Sequence, residues 1–233
     1  MRKKSISIVF WIALAICTLF VVYGAILPKQ LEAITQNITS FIAVNFSWYY
    51  LLLVLIIFFI CVYLLFSRYA SITLGVEGEE PEFSLLSWFA MLFSAGMGIG
   101  LVFWTTAEPV SHAYKATPIH KIGTQAAIND AFQFAFFHWG IHAWAVYSIV
   151  ALVFAYFNFH KGYPGLVSAT LTPILGTKMM RGPIGGSIDV LAIIATVTGV
   201  AATLGFGALQ INEGLHFLFD IPSNFVTQVI IIV

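Results

Sequence analysis

The stretch that decides the fold reads SAGMGIG and occupies residues 94–100. It lies in the middle of a window, residues 83–107, that contains no Asp, Glu, Lys or Arg. A charge-free run of this length can cross the ~30 Å hydrocarbon core of a bilayer at ~1.5 Å per residue. Each glycine costs a helix roughly 1 kcal/mol relative to alanine. Three glycines within five residues therefore favour an unwound or closely packed segment at mid-membrane.

Four more windows lack charged residues: 5–28, 46–67, 131–160 and 190–212. A sixth apolar run starts near Ile221. The chain is 60% hydrophobic and 9% charged, whereas soluble domains carry about 25% charged residues. These features predict an all-α polytopic membrane protein with a retained first span. The zero net charge argues against a nucleic-acid partner.

The basic residues indicate an orientation. If the N-terminus is cytoplasmic, seven of the ten Lys and Arg residues fall in inside segments, as the positive-inside rule requires. Residues 68–82 then form an acidic cytoplasmic turn, and residues 109–130 an outer loop. Residues 161–186 return to the inside and include a candidate amphipathic surface helix at 166–171.

Backbone unwound in lipid persists only where it lines a cavity or is buried in protein. Its freed carbonyls can then coordinate Na⁺, and helix ends can face a substrate carboxylate. Tight helix packing through small residues explains the glycines equally well. A nucleotide-binding loop fits poorly, because no strand precedes the glycines.

The fourth window holds the aromatic run FFHWGIHAWAVY at residues 136–147. Trp139 and Trp144 lie roughly 13 and 21 Å along a helix that starts at Asp130, deeper than interfacial tryptophans. On one continuous helix they share a broad face with Tyr147. A quaternary ammonium has no N–H to donate, and an aromatic face binds it by a cation–π interaction. An aromatic cation site and a bulky aromatic core are the two interpretations.

His138 and His142 have the i, i+4 spacing of two zinc ligands. No third ligand is evident from the sequence, and no Glu lies between them. We therefore expect hydrogen-bonded histidines and no metal site, with a proton relay as a further role. A membrane-embedded metalloenzyme that uses these histidines is the alternative from another functional class.

The fifth window brings Thr196, Thr198 and Thr203 into an apolar span. Membrane threonines commonly bond back to their own helix, but hydroxyl and carbonyl oxygens also suit a hard cation such as Na⁺. Asp189 and Glu213 flank the span and are expected to be boundary charges.

Together these motifs resemble the betaine/choline/carnitine transporter family. The resemblance covers most of the chain after residue 80 and rests on the order and spacing of short motifs. They are SAGMGIG at 94–100, AEP at 107–109, HW at 138–139, HAW at 142–144 with Tyr147, PGL at 164–166, ATV at 195–197, LG at 204–205 and GALQ at 207–210.

The resemblance implies a LeuT-like fold of twelve helices, with two leading helices followed by two inverted five-helix repeats. Residues 1–82 would hold the leading pair and an acidic loop, and residues 83–233 most of the first repeat. The resemblance also implies a multi-pass protein of the cytoplasmic membrane and a homotrimer.

The resemblance further implies a set of site residues. The residues that match the family's aromatic box are Trp139, Trp144 and Tyr147. The residues that match its unwound substrate segment are Met97 with Gly96, Gly98, Gly100 and Phe103. The residues that match its sodium ligands are Ser94 and Met97, through their carbonyls, and Thr196, through its hydroxyl.

Two positions refine the expected coupling. Gly100 stands where proton-coupled choline carriers of the family tend to have Asp, which favours Na⁺-coupled uptake of glycine betaine. Val200 stands where the betaine carriers have a second sodium-site threonine, so this chain lacks one hydroxyl ligand expected at that sodium site. Na⁺-independent exchange, proton-coupled uptake of choline-like or carnitine-like solutes, and a non-transporting fragment are the alternatives. We expect no enzymatic activity and no cofactor beyond Na⁺ as coupling ion.

Overall fold

The computed structural model describes residues 7–75, 78, 80–96, 99–117 and 119–232, with backbone alone at residues 95, 96, 99 and 100. Across these residues the secondary structure is helical and contains no strand. A 3₁₀ turn spans Arg68–Ser71 and a π-helical turn spans Tyr156–His160. The α-helices are α1 (Ile8–Ile26), α2 (Pro28–Phe66), α3 (Leu85–Gly96), α4 (Ile99–Tyr114), α5 (Gln125–Trp139), α6 (Ile141–Ala155), α7 (Val167–Thr170), α8 (Thr172–Leu175), α9 (Thr177–Met180), α10 (Pro183–Phe219) and α11 (Phe225–Ile232).

Four helical stretches within the described residues are long and apolar enough to cross a membrane. They are α1, α2, the stretch Gln125–His160 and α10. They coincide with the first, second, fourth and fifth charge-free windows, so the prediction of an all-α chain with several spans is confirmed. In α1 only Ala13 is buried, and in α2 no described residue is. These two helices therefore present apolar side chains outward along their length.

The third charge-free window holds two helices. α3 ends at Gly96 and α4 begins at Ile99, and the intervening Met97 and Gly98 lie outside the described residues. The unwound or closely packed segment was predicted for residues 96–100. Gly96, Ile99 and Gly100 are helical, so unwinding stays a prediction only at Met97 and Gly98. α4 then runs through Pro109 to Tyr114, whereas the sequence predicted that the outer loop begins at residue 109. Membrane helices tolerate an internal proline because neighbouring groups satisfy the backbone carbonyl that it frees.

The fourth span is interrupted at Gly140. α5 ends at Trp139, Gly140 takes the extended dihedral angles φ −87° and ψ −151°, and α6 begins at Ile141. The assumption of one continuous helix from 131 to 160 is therefore wrong. The helical rotation between Trp139 and Trp144 that it implied no longer applies.

The expected amphipathic helix near residues 166–171 is a single turn, α7, followed by the equally short α8 and α9. α7 is anchored by Asp189 of α10. The Asp189 carboxylate accepts bonds from the backbone N–H and the hydroxyl of Ser168, at 2.9 and 2.7 Å. Both residues are buried. Asp189 is thus a buried anchor for a helix N-terminus, and its assignment as a boundary charge was wrong.

The chain divides into two compact units. The first unit comprises Met1–Glu79 and Ile141–Val197. Within it α2 packs along α6. The Cys61 thiol contacts the carbonyl of Ala145 at 3.5 Å, and the rings of Phe58 and His142 lie 6.0 Å apart.

The second unit comprises Glu80–Gly140 and Thr198–Val233. Within it α4 packs along α5. The ring of Phe103 on α4 stacks on Phe206 of α10 with centroids 5.5 Å apart. The expected division at residue 82, based on leading helices and a repeat, stays a prediction.

The break at Gly140 gives a test of the fold. A Cβ added at this position would overlap the carbonyl oxygen of Phe136, which is backbone and cannot turn aside. We expect Gly140→Ala to lower the melting temperature of the detergent-solubilised protein by several degrees. Gly214→Ala is the matched control, because a Cβ there meets nothing within 4 Å and alanine favours the helix. A Gly140→Ala protein as stable as the Gly214→Ala protein would contradict the described break.

Candidate substrate and ion site

A carboxylate joins α4 to α5. Glu108 of α4 is largely buried, with a side chain 12% exposed. Its Oε2 accepts a hydrogen bond from the indole N–H of Trp139 at 2.6 Å. Its Oε1 contacts Nδ1 of His138, and Nε2 of His112 lies 3.2 Å from the same oxygen. Three side chains with N–H groups therefore converge on one carboxylate in the second unit.

This arrangement follows from local helix geometry. Glu108 and His112 are four residues apart on α4, so their side chains share a face. His138 and Trp139 form the last turn of α5, immediately before the break at Gly140. A carboxylate in apolar surroundings is stable only when it is well hydrogen-bonded or paired. The Glu108 contacts thus fix the end of α5, and the indole of Trp139 with it.

Two of the predicted box residues come together in the first unit. Trp144 and Tyr147 lie three residues apart on α6, with ring centroids 5.8 Å apart and planes inclined by 43°. Trp144 is 47% and Tyr147 70% exposed. Their rings are therefore accessible, as cation–π binding requires. Trp139, the third predicted member, lies in the second unit and is held by Glu108.

The predicted substrate segment is described only at its ends. Met97 and Gly98 lie outside the described residues, and Gly96 and Gly100 are placed as helical backbone at the end of α3 and the start of α4. Phe103 follows on α4 and is half-buried, stacked on Phe206 and in edge contact with Trp104 at 5.2 Å.

Two of the three predicted sodium ligands lie in described parts of the chain, one in each unit. Ser94 is exposed on α3, in the second unit. Thr196 is exposed on α10, in the first unit, and its hydroxyl donates to the carbonyl of Ala192 at 2.8 Å. This back-bond uses the hydroxyl hydrogen and leaves the oxygen lone pairs available to a cation. Thr203 bonds in the same way to Gly199 at 3.0 Å.

Sequence reasoning missed Glu108 and His112 as site residues. Glu108 was noted only within the motif AEP, and its partners His138 and Trp139 lie 30 and 31 residues away. A carboxylate at the end of a charge-free window was the available signal, because intramembrane ionisable groups mark functional sites by default. The predicted partner of His138, His142, instead packs near Phe58 in the first unit.

The amino-acid sequence of the chain matches a known protein family. The sequence model described as "BCCT, betaine/carnitine/choline family transporter" matches residues 8–233. The glycine betaine transporter OpuD of Bacillus subtilis is 54% identical over 99% of this chain and 45% of its own length. An ectoine/hydroxyectoine transporter of Virgibacillus pantothenticus is 41% identical over 96% of this chain and 44% of its own length.

A more distant relative is the high-affinity choline transport protein of Escherichia coli K12, 38% identical over 99% of this chain and 34% of its own length. The chain thus spans less than half the length of these curated relatives. The family match covers nearly all of it. The chain therefore belongs to the betaine/carnitine/choline family of transporters.

Proposed function

We propose that the protein containing these residues is a secondary transporter for quaternary-ammonium osmolytes, with glycine betaine as substrate and Na⁺ as coupling ion. The observation that carries this proposal is the exposed Trp144–Tyr147 pair on α6. The helix bearing it contains no charged residue, so the rings are its only group that favours a cation lacking N–H. An exposed ring pair on a carboxylate-free helix suits a trimethylammonium group better than a primary amine, which would need hydrogen-bond acceptors.

The relatives support glycine betaine as substrate. Relatives named as glycine betaine transporters include one at 54% and one at 40% identity. Choline differs from glycine betaine in lacking a carboxylate, and Gly100, where proton-coupled choline carriers tend to have Asp, supports the zwitterion. The family resemblance assigns the carboxylate to the segment that contains Met97 and Gly98. It assigns the trimethylammonium group to Trp139, Trp144 and Tyr147.

Sodium coupling rests on oxygen ligands at Ser94, Met97 and Thr196. Thr196 retains its lone pairs despite its bond to Ala192. In a LeuT-like fold with inverted repeats, ion and solute would bind together and the repeats would rock around them. A homotrimer in the cytoplasmic membrane, with the N-terminus in the cytoplasm, completes the proposal.

Loss of one ring tests the aromatic site. We expect Trp144→Leu to raise the KM for glycine betaine about 30-fold, because a desolvated cation–π contact is worth about 2 kcal/mol. Trp144→Phe should retain a large part of the affinity. The measurement is radiolabelled uptake into proteoliposomes containing the complete protein. Trp48→Leu is the matched control, because Trp48 is an exposed tryptophan on α2. An equal KM for the Trp144→Leu and Trp48→Leu proteins would reject the aromatic site.

Loss of one hydroxyl tests the sodium site. Thr196→Ala should raise the Na⁺ concentration for half-maximal uptake about tenfold, taking a bond to a charged group as about 1.5 kcal/mol. Thr35→Ala is the control, because Thr35 on α2 makes the same back-bond, to Leu31 at 2.9 Å. Uptake that does not respond to Na⁺ in the unsubstituted protein would refute coupling. The exchange and proton-coupled alternatives would then be tested by counterflow and by a pH gradient.

Glu108 should act as a positioning residue for Trp139. We expect Glu108→Ala to raise the KM for glycine betaine several-fold, and Glu108→Gln to restore part of the affinity, since its amide oxygen can still accept the indole N–H. Asp130→Ala is the control, because Asp130 pairs with His120 in the same unit without reaching Trp139. If Glu108→Ala and Asp130→Ala leave KM equally unaffected, Glu108 does not position Trp139.

A further inference from the structure

The transport proposal uses Glu108 only through Oε2, which holds Trp139, and it leaves the two histidines at Oε1 without a role. Glu108, His112 and His138 each offer one ligand atom, and these three atoms lie within 4.8 Å of one another. We propose that this cluster is a binding site for a divalent transition-metal ion, with Zn²⁺ as the first candidate. We call it the His₂Glu cluster.

The donor set suits zinc. Two imidazole nitrogens and one carboxylate oxygen form the ligand set of many zinc sites, and a solvent molecule can take the fourth position. Ligand atoms about 2.0–2.1 Å from a tetrahedral zinc ion are about 3.4 Å from each other. Nε2 of His112 and Oε1 of Glu108 are 3.2 Å apart. Small rotations of the His138 side chain, which is 48% exposed, would complete the triangle.

The surroundings support an ion at this point. The Trp139 indole holds Oε2 of Glu108 at 2.6 Å, which leaves Oε1 facing both imidazoles. Hydrogen bonds of this kind orient a ligating carboxylate. Nδ1 of His112 is buried without a hydrogen-bond partner among the described residues. In the metal-free protein the proton lies on Nε2, which contacts Glu108; when an ion binds Nε2, Nδ1 can carry the proton of the neutral imidazole. His138, half-exposed, leaves the cluster open to an incoming ion.

In the described part of the chain, a second histidine–carboxylate pair in the same unit lacks the third candidate ligand that the His₂Glu cluster has. His120 contacts Asp130 at 2.6 Å, but this pair does not belong to a group of three candidate ligands within the described residues. His120 and Asp130 therefore form an ordinary ion pair or hydrogen bond. They provide a matched control for the metal chemistry of the His₂Glu cluster.

Metal binding should also affect transport, an expectation that rests on the proposed function. Because Glu108 also holds Trp139, an ion on Oε1 would fix the Glu108 side chain and restrict movement of the indole. We expect Zn²⁺ to slow glycine betaine uptake. Binding measured on purified protein does not depend on transport, so failure of the site and failure of the proposed function are distinguishable.

The test uses the complete protein, purified in detergent with any affinity tag removed, and ZnCl₂ alone as probe. Equilibrium dialysis should give one tight Zn²⁺ per chain. His112→Gln and His138→Gln should each weaken binding at least tenfold, while His120→Gln should leave it unchanged. Co²⁺ in place of Zn²⁺ should give the visible absorption bands of a four-coordinate ion in the unsubstituted protein.

Each outcome of this test bears on the proposal. Tight zinc binding that persists in both His112→Gln and His138→Gln would overturn the site, as would absence of binding to the unsubstituted protein. The Co²⁺ spectrum is measured on the unsubstituted protein, so it remains a test even if a variant fails to fold. A six-coordinate spectrum would also overturn the site. Zinc binding without any glycine betaine uptake would support the site and reject the proposed function.

Discussion

A backbone that crosses hydrocarbon must make its hydrogen bonds within itself, since no water is present to accept or donate them. This constraint explains why almost all of the apolar sequence is helical and why the helices are long. α2 has 39 residues and α10 has 37, each about 55–59 Å at 1.5 Å per residue and so longer than the hydrocarbon core alone. In α1 only Ala13 is buried, and in α2 no described residue is. These two helices therefore bury few side chains against the rest of the described chain.

The end of α5 brings candidate functional groups together. The helix stops at Trp139, immediately before the break at Gly140. Glu108 of α4 contacts His138 and Trp139 in this last turn. A charge in such surroundings is costly unless its oxygens are satisfied. The Glu108 carboxylate therefore stabilises the α4–α5 pair and fixes the orientation of Trp139, a candidate substrate-binding residue.

Much of the helix framework could be predicted from local sequence. Charge-free windows locate the spans because hydrocarbon excludes charge over a length set by bilayer thickness. The extent of α4 was not predictable in this way, because Pro109 normally ends a helix and here does not. The break at Gly140 was also missed, since one glycine in a helical pattern is usually tolerated.

The site was predictable only in part. Trp144 and Tyr147 are near neighbours on one helix, so spacing alone brings their rings together. The Glu108 contacts depend on how α4 packs against α5, and no local pattern encodes a pairing across 30 residues. The burial of Asp189 beneath α7 escaped prediction for the same reason, because Ser168 lies 21 residues away.

The proposed transport depends on an aromatic site that recognises a trimethylammonium group and on a Na⁺ gradient that drives its uptake. The most direct measurement is uptake of radiolabelled glycine betaine by proteoliposomes under an inward Na⁺ gradient, in competition with unlabelled glycine betaine, dimethylglycine and glycine. We expect Na⁺-dependent uptake with competition that falls as N-methyl groups are removed, because each loss adds an N–H that aromatic rings cannot satisfy. Equal competition by glycine, or uptake that is unchanged when the Na⁺ gradient is collapsed, would contradict the proposed transport.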